Sequence, residues 1–129
     1  MKNIAMLAVS LSLAGGILVP QKDSVRSLLS KDLASVPGKE VTMLTVEYSP
    51  GESSPTHRHH AQALVYVLEG SIVMQAKGKA PVTLTPGQTW YEGPDDVHEV
   101  SRNASNSAPA KYLVFMVKEK GAPILTPVK

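Results

Sequence analysis

The sequence predicts an all-β fold, a single small barrel or sandwich, and three observations carry the prediction. From residue 41 onward, short runs rich in Val, Thr, Tyr and Leu recur every eight to twelve residues or so. Gly- and Pro-containing turns separate them. No stretch from residue 41 onward keeps an apolar stripe long enough for a confident amphipathic helix. At 129 residues the chain is long enough for one domain with one core and too short for two of ordinary size.

The elements follow in order. Residues 1–20 stand apart: Lys2 supplies a positive start, and an apolar stretch from Ile4 to Val19 follows, broken only by Ser10, Ser12, Gly15 and Gly16. That pattern is expected of a secretory signal peptide, cleaved at a poorly marked site near small residues. It is short for a membrane span, which needs roughly 20 apolar residues. The mature domain is then 21–129, located in the periplasm or outside the cell, with no stable membrane anchor. Residues 24–33 fit either a strand or a short helix, and a strand is preferred. The remaining expected strands are 41–48, 63–69, 71–76, 81–85, 88–92, 97–101 and 111–117. Ser49-Pro50-Gly51, Lys77-Gly78-Lys79, Pro86-Gly87 and Gly93-Pro94-Asp95-Asp96 supply the turns. Residues 101–107, rich in Asn and Ser, read as an exposed loop.

Composition removes several function classes. The 13 basic and 11 acidic residues are spread without a block of like charge, so no nucleic-acid partner is expected. With no cysteine, disulfides, thiolate metal sites and cysteine nucleophiles are all absent. There is no nucleophile elbow, phosphate-binding glycine loop or carboxylate pair spaced for glycoside cleavage. The aromatic residues Tyr48, Tyr66, Trp90, Tyr91, Tyr112 and Phe115 are expected mostly in the core, and Trp90 and Tyr91 on opposite faces of one strand. Met74 and Met116 read as packing.

The functional signal is the placement of the four histidines: His57, His59 and His60 after one loop, His98 after another. On a strand His57 and His59 point to the same face while Arg58 and His60 point to the other. His98, at the start of a later strand, is the remaining imidazole that could complete a facial set around one metal ion. A solvated His-rich loop would leave the same spacing, and spacing alone does not separate the two.

Two stretches bear on the choice. Residues 51–70, GESSPTHRHHAQALVYVLEG, and 87–103, GQTWYEGPDDVHEVSRN, resemble the two motifs of the cupin superfamily, especially its small single-domain bacterial members with exported precursors. Gly51, His57, His59 and Gly70 match the first motif, and Gly87 and His98 the second. The second turn is rearranged, and Asn103 falls one residue late. The resemblance implies a jelly-roll-like cupin β-barrel with a metal on its inner wall, ligated by His57, His59 and His98. The glutamate of the first motif is missing: its position is Ala63, or Leu64 in the longer variant. Gln62 is the candidate fourth ligand, provided a β-bulge turns it to the histidine face. Glu52, Glu69 and Glu99 are expected to be solvated.

One divalent transition-metal ion, Zn, Fe, Ni or Cu, is therefore the expected cofactor, with the catalytic residues unassigned. Three neutral imidazoles would leave the ion its full double charge, a strong Lewis acid. The expected function is metal-dependent action on a small organic molecule in the barrel, of oxygenase, isomerase or lyase type. The alternative is a non-catalytic module that binds a small ligand or metal. Exposed edge strands at 24–33 and 122–127 also point to a homodimer.

Overall fold

The computed structural model describes residues 24–129; the expected signal peptide at 1–20 lies outside them. Eleven β-strands and no helix form among the described residues. They are β1 (Ser24–Asp32), β2 (Lys39–Tyr48), β3 (Ser53–Ser54), β4 (His57–Arg58), β5 (Ala61–Glu69), β6 (Ile72–Ala76), β7 (Val82–Leu84), β8 (Thr89–Glu92), β9 (His98–Asn103), β10 (Ala110–Glu119) and β11 (Thr126–Pro127). One sheet runs β1-β2-β10-β5-β8; the other runs β11-β4-β9-β6-β7, with β3 also paired to β9. Every pairing is antiparallel.

Alternation builds the core between the sheets. In β5, Ala61, Ala63, Val65 and Val67 are buried and Gln62, Leu64, Tyr66 and Leu68 exposed, the period of two that a strand imposes. β10 repeats the pattern with Ala110, Tyr112, Val114 and Met116 inward. Leu44, Val46, Ile72, Met74 and Leu84 close the cluster from the neighbouring strands. Each such aliphatic side chain contributes about 1.5–3 kcal/mol by leaving water.

At one end of the core the buried Tyr48 hydroxyl bonds Ser101 Oγ at 2.8 Å and accepts from Tyr112 at 3.1 Å. Beside it Asn103 Nδ2 donates to the carbonyls of Ser49 (3.1 Å) and Ala108 (2.8 Å) while its Oδ1 accepts from the Ser105 amide. Asn103 thus fastens the Asn/Ser-rich loop to the turn before β3.

The ambiguous segment 24–33 is a strand from Ser24 to Asp32, because it pairs with β2 on both sides of an irregularity at Leu28. Two elements absent from the sequence reading, β3 and β4, are two residues each, too short for any period to show, and of the edge strand expected at 122–127 only Thr126–Pro127 pairs, as β11. Gly70 is the glycine that the fold cannot replace. It turns the chain from β5 to β6 at φ +67°, and a Cβ there would lie 2.4 Å from the Pro109 carbonyl oxygen. Gly70→Ala is expected to cost more than about 2 kcal/mol, the strain of the left-handed conformation plus a clash with backbone. Urea unfolding reads this as a fall in midpoint, and an unchanged midpoint would contradict it.

Candidate metal centre

The chain crosses between the sheets immediately after β4, at His59 and His60. His60 takes a positive φ of 51° and is exposed, so the turn keeps His57 and His59 on the inner side and sends His60 to solvent. His57 pairs directly with His98 of β9, their ring centroids 4.8 Å apart, and His59 packs edge-on against His57 at 4.7 Å. All three are buried or nearly so. The structure brings together the three histidines singled out in the sequence.

The fourth member of the cluster is Glu92, the last residue of β8. One donor atom from each of His57, His59, Glu92 and His98 can be chosen so that all lie within 4.8 Å of one another. Glu92 is 1% exposed. Its backbone position pairs with Ala63 of β5. Directly paired residues project their side chains to the same face of a sheet, so the carboxylate stands beside the position where the first cupin motif carries its glutamate. Ala63, 1% exposed, is small enough to leave the space.

This corrects the expectation of a centre without a carboxylate. It also corrects the place given to Gln62, which occupies the outer face of β5, exposed, its Oε1 accepting from the Tyr91 hydroxyl at 3.2 Å. No bulge falls at Gln62: the register from Ala61 to Tyr66 against β10 is unbroken. Trp90 and Tyr91 do lie on opposite faces. Trp90 lines the interior, 4.8 Å from the His98 ring, and Tyr91 is exposed.

Hydrogen bonds fix which ring nitrogens face the centre. His57 Nδ1–H donates to the Pro55 carbonyl at 2.8 Å and His59 Nδ1–H to the Ile124 carbonyl at 2.7 Å. Both Nε2 atoms then carry lone pairs, yet they stand 3.1 Å apart. Two acceptors at that distance repel unless a cation lies between them. His59 Nε2 is 3.1 Å from Glu92 Oε1 and His98 Nδ1 is 3.2 Å from Glu92 Oε2. While Glu92 is ionised neither contact is a hydrogen bond, and both its oxygens and His98 Nδ1 are then buried without a hydrogen-bond partner. The other nitrogen of His98, Nε2, is 3.1 Å from the Met74 sulfur. Buried polar atoms without partners are costly, and a shared ion satisfies all of them at once.

The electrostatics agree. Burial lowers His59 to about 4 and, with repulsion from His57 and His59, His98 to about 3. Burial, reinforced by the Asp96 charge, pushes Glu92 up to about 8. Near neutral pH His59, His98 and Glu92 are thus uncharged, and the close His–Glu contacts are not ion pairs. Neutral imidazoles are the form that binds a metal, and a divalent cation supplies the charge that would draw the Glu92 carboxylate into its ionised form.

The centre opens into a cavity of ≈ 50 Å³ whose walls are largely apolar, among them Leu44, Val65, Val114 and Met116. Three nitrogens and one carboxylate around an ion with an open side toward such a cavity suit Zn, Fe, Ni or Cu, and the carboxylate brings Mn within range as well.

No curated protein sequence matches the chain. Among solved structures, it is similar to the DMSP lyase DddQ from Ruegeria pomeroyi DSS-3 (18% identity, TM-score 0.67, covering 83% of this chain and 52% of that one). It is also similar to the polyketide cyclase RemF from Streptomyces resistomycificus (22% identity, TM-score 0.64, covering 84% of this chain and 72% of that one). An oxalate oxidase in complex with the substrate analogue glycolate shares 21% identity at a TM-score of 0.65, with 95% of this chain and 63% of that one covered. The chain therefore spans about half the length of the lyase and less than two thirds of the oxidase, and at these identities the likeness is one of fold. The family model of the cupin domain, Cupin_2, matches residues 44–116, more than half of the sequence, and the chain belongs to that family.

Proposed function

We propose that this protein is an exported cupin that holds one divalent transition-metal ion on His57, His59, His98 and Glu92 and acts there on a small organic molecule. The observation that carries the reading is the set of unpartnered buried atoms, two carboxylate oxygens and one imidazole nitrogen, beside two imidazole lone pairs 3.1 Å apart. The ion would supply Lewis acidity to whatever group enters its open side.

The chain's own residues prepare that step. The Pro55 and Ile124 carbonyls orient two rings, Glu92 holds a proton that it gives up on metal binding, and the apolar cavity excludes bulk water. A lyase, a cyclase and an oxidase among structures of this fold support small-molecule turnover without choosing among oxygenase, isomerase and lyase chemistry. The Glu92 charge makes the ion a milder Lewis acid than three imidazoles alone would.

Metal analysis of mature protein purified without a His tag tests the reading. About one equivalent in the parent and none in a His57→Ala/His98→Ala double variant is expected; no metal in the parent after reconstitution would contradict it.

Export rests on the N-terminal pattern, Lys2 followed by an apolar stretch. Mass spectrometry of secreted material is expected to find Met1 and Lys2 removed, and their retention would contradict cleavage.

The homodimer is supported by β1. All nine of its residues are exposed although each half of the strand is paired to β2, and Val25, Leu28 and Leu29 are 46–53% exposed. Covering such an edge with a second copy removes its free backbone groups from water. Sedimentation velocity is expected to give a dimer at micromolar concentration, and a monomer throughout would contradict it.

A further inference from the structure

The cavity beside the metal centre is walled by two kinds of residue. Most of its lining falls within residues 44–116, the span shared with the family, but Val25 comes before that span and Ile124 and Leu125 after it. Val25 is 53% and Leu125 36% exposed, so both stand where the cavity meets solvent, whereas Ile124 packs against the core.

The C-terminal segment is fastened along its length. Lys118 Nζ donates to the Ala122 carbonyl at 2.7 Å, Thr126 and Pro127 pair with Arg58 and His57, and the Val128 amide donates to Thr56 at 3.1 Å. This strap holds the Ile124 carbonyl on His59 and two apolar side chains in the cavity wall. The ≈ 50 Å³ they leave would hold about four waters at roughly 10–15 Å³ each. No lysine or arginine lines it.

We propose that Ile124 and Leu125, with Val25, are the specificity-determining residues of this cavity. They restrict its ligands to small, mostly apolar molecules whose one polar or charged group is the group that meets the metal centre. The proposal rests on the metal reading above and adds to it what the site admits. A larger or charged ligand would have to displace the strap, or bury a charge with no partner beyond the centre itself.

The test uses cobalt-loaded protein and two probes, acetohydroxamic acid, whose tail is one methyl group, and octanohydroxamic acid, whose tail is a long alkyl chain. Binding is read from the visible absorption of the cobalt. The parent is expected to favour the short probe by about tenfold or more. An Ile124→Ala/Leu125→Ala variant, which keeps the Ile124 carbonyl, is expected to gain about tenfold for the long probe relative to the short one. Equal affinities in the parent, or no gain in the variant, would overturn the proposal.

Failure of the protein to take up cobalt would sink the metal reading instead. The wall is then read on metal-free protein from the methyl resonances of Met74 and Met116. Ethanol is expected to shift them and 1-octanol to leave them unmoved until the two substitutions are made. Equal shifts in the parent would overturn the proposal.

Discussion

Glu92→Ala is expected to weaken metal binding by about a hundredfold or more, beyond the 10- to 100-fold that loss of an outer partner of a ligand commonly costs. Adding Ala63→Glu to that variant is expected to recover most of the loss. The reason is register: Ala63 and Glu92 are direct partners in the β5–β8 pair, both inward and both 1% exposed, so a carboxylate on either strand reaches the same three imidazoles. Ala63→Glu alone should bind no better than the parent, because two carboxylates would then crowd a space built for one. Competition against a chromophoric chelator measures all four proteins. Parent-like affinity in Glu92→Ala would remove the carboxylate from the centre, and a double variant no better than the single one would show that the position across the strand pair is not equivalent.

The second large effect is on stability against pH, and its sign differs on the two sides of neutrality. His59 and His98 have folded pKa values of about 4 and 3 against 6.5 when free. Below 6.5 the unfolded chain binds more protons, so their contribution is complete above pH 6.5 and is lost as the pH falls through 4 for His59 and toward 3 for His98. Glu92 works in the opposite sense. With its pKa raised from 4.5 to about 8, its contribution is complete below 4.5 and is lost as the pH rises to 8.

Two histidines outweigh one carboxyl in the acid range, so the metal-free protein should be most stable near pH 6.5. It should lose on the order of 1 kcal/mol between there and pH 8. Metal binding should abolish the alkaline limb by keeping Glu92 ionised in the folded state, with release of about one proton near pH 7. Urea unfolding across this range, with chelator and with zinc, checks both limbs. Glu92→Gln should flatten the alkaline limb without metal; a limb that persists in that variant would mean that another group produces it.

Much of this was legible in the sequence. The period of two in β5 and β10 marks the inner face directly, and the same period puts His57 and His59 on one side and His60 on the other. His98 was found because it is the fourth of four histidines and opens a strand. Glu92 was missed for a physical reason: it lies inside the second motif stretch but at no position that the sequence reading gave to a ligand, and its place at the centre comes from the pairing of β8 with β5, which no single strand encodes. A usable signal was present. Trp90 and Glu92 share a face, and the motif's carboxylate position holds an alanine, which leaves a carboxylate-sized space to be filled from a neighbouring strand. The strap was legible only as an edge strand at 122–127; its role at the centre was not, since Ile124 acts on His59 through its carbonyl, a group every residue carries.

The central claim is that three histidines and a carboxylate from across the strand pair hold one ion. X-ray crystallography of metal-loaded protein, with an anomalous difference map at the metal edge, tests it most directly. The account predicts a single peak bounded by His57 Nε2, His59 Nε2, His98 and a Glu92 oxygen, with contacts of about 2.0–2.2 Å if the ion is zinc. A peak elsewhere on the chain, or one at the histidines with Glu92 turned away, would contradict it.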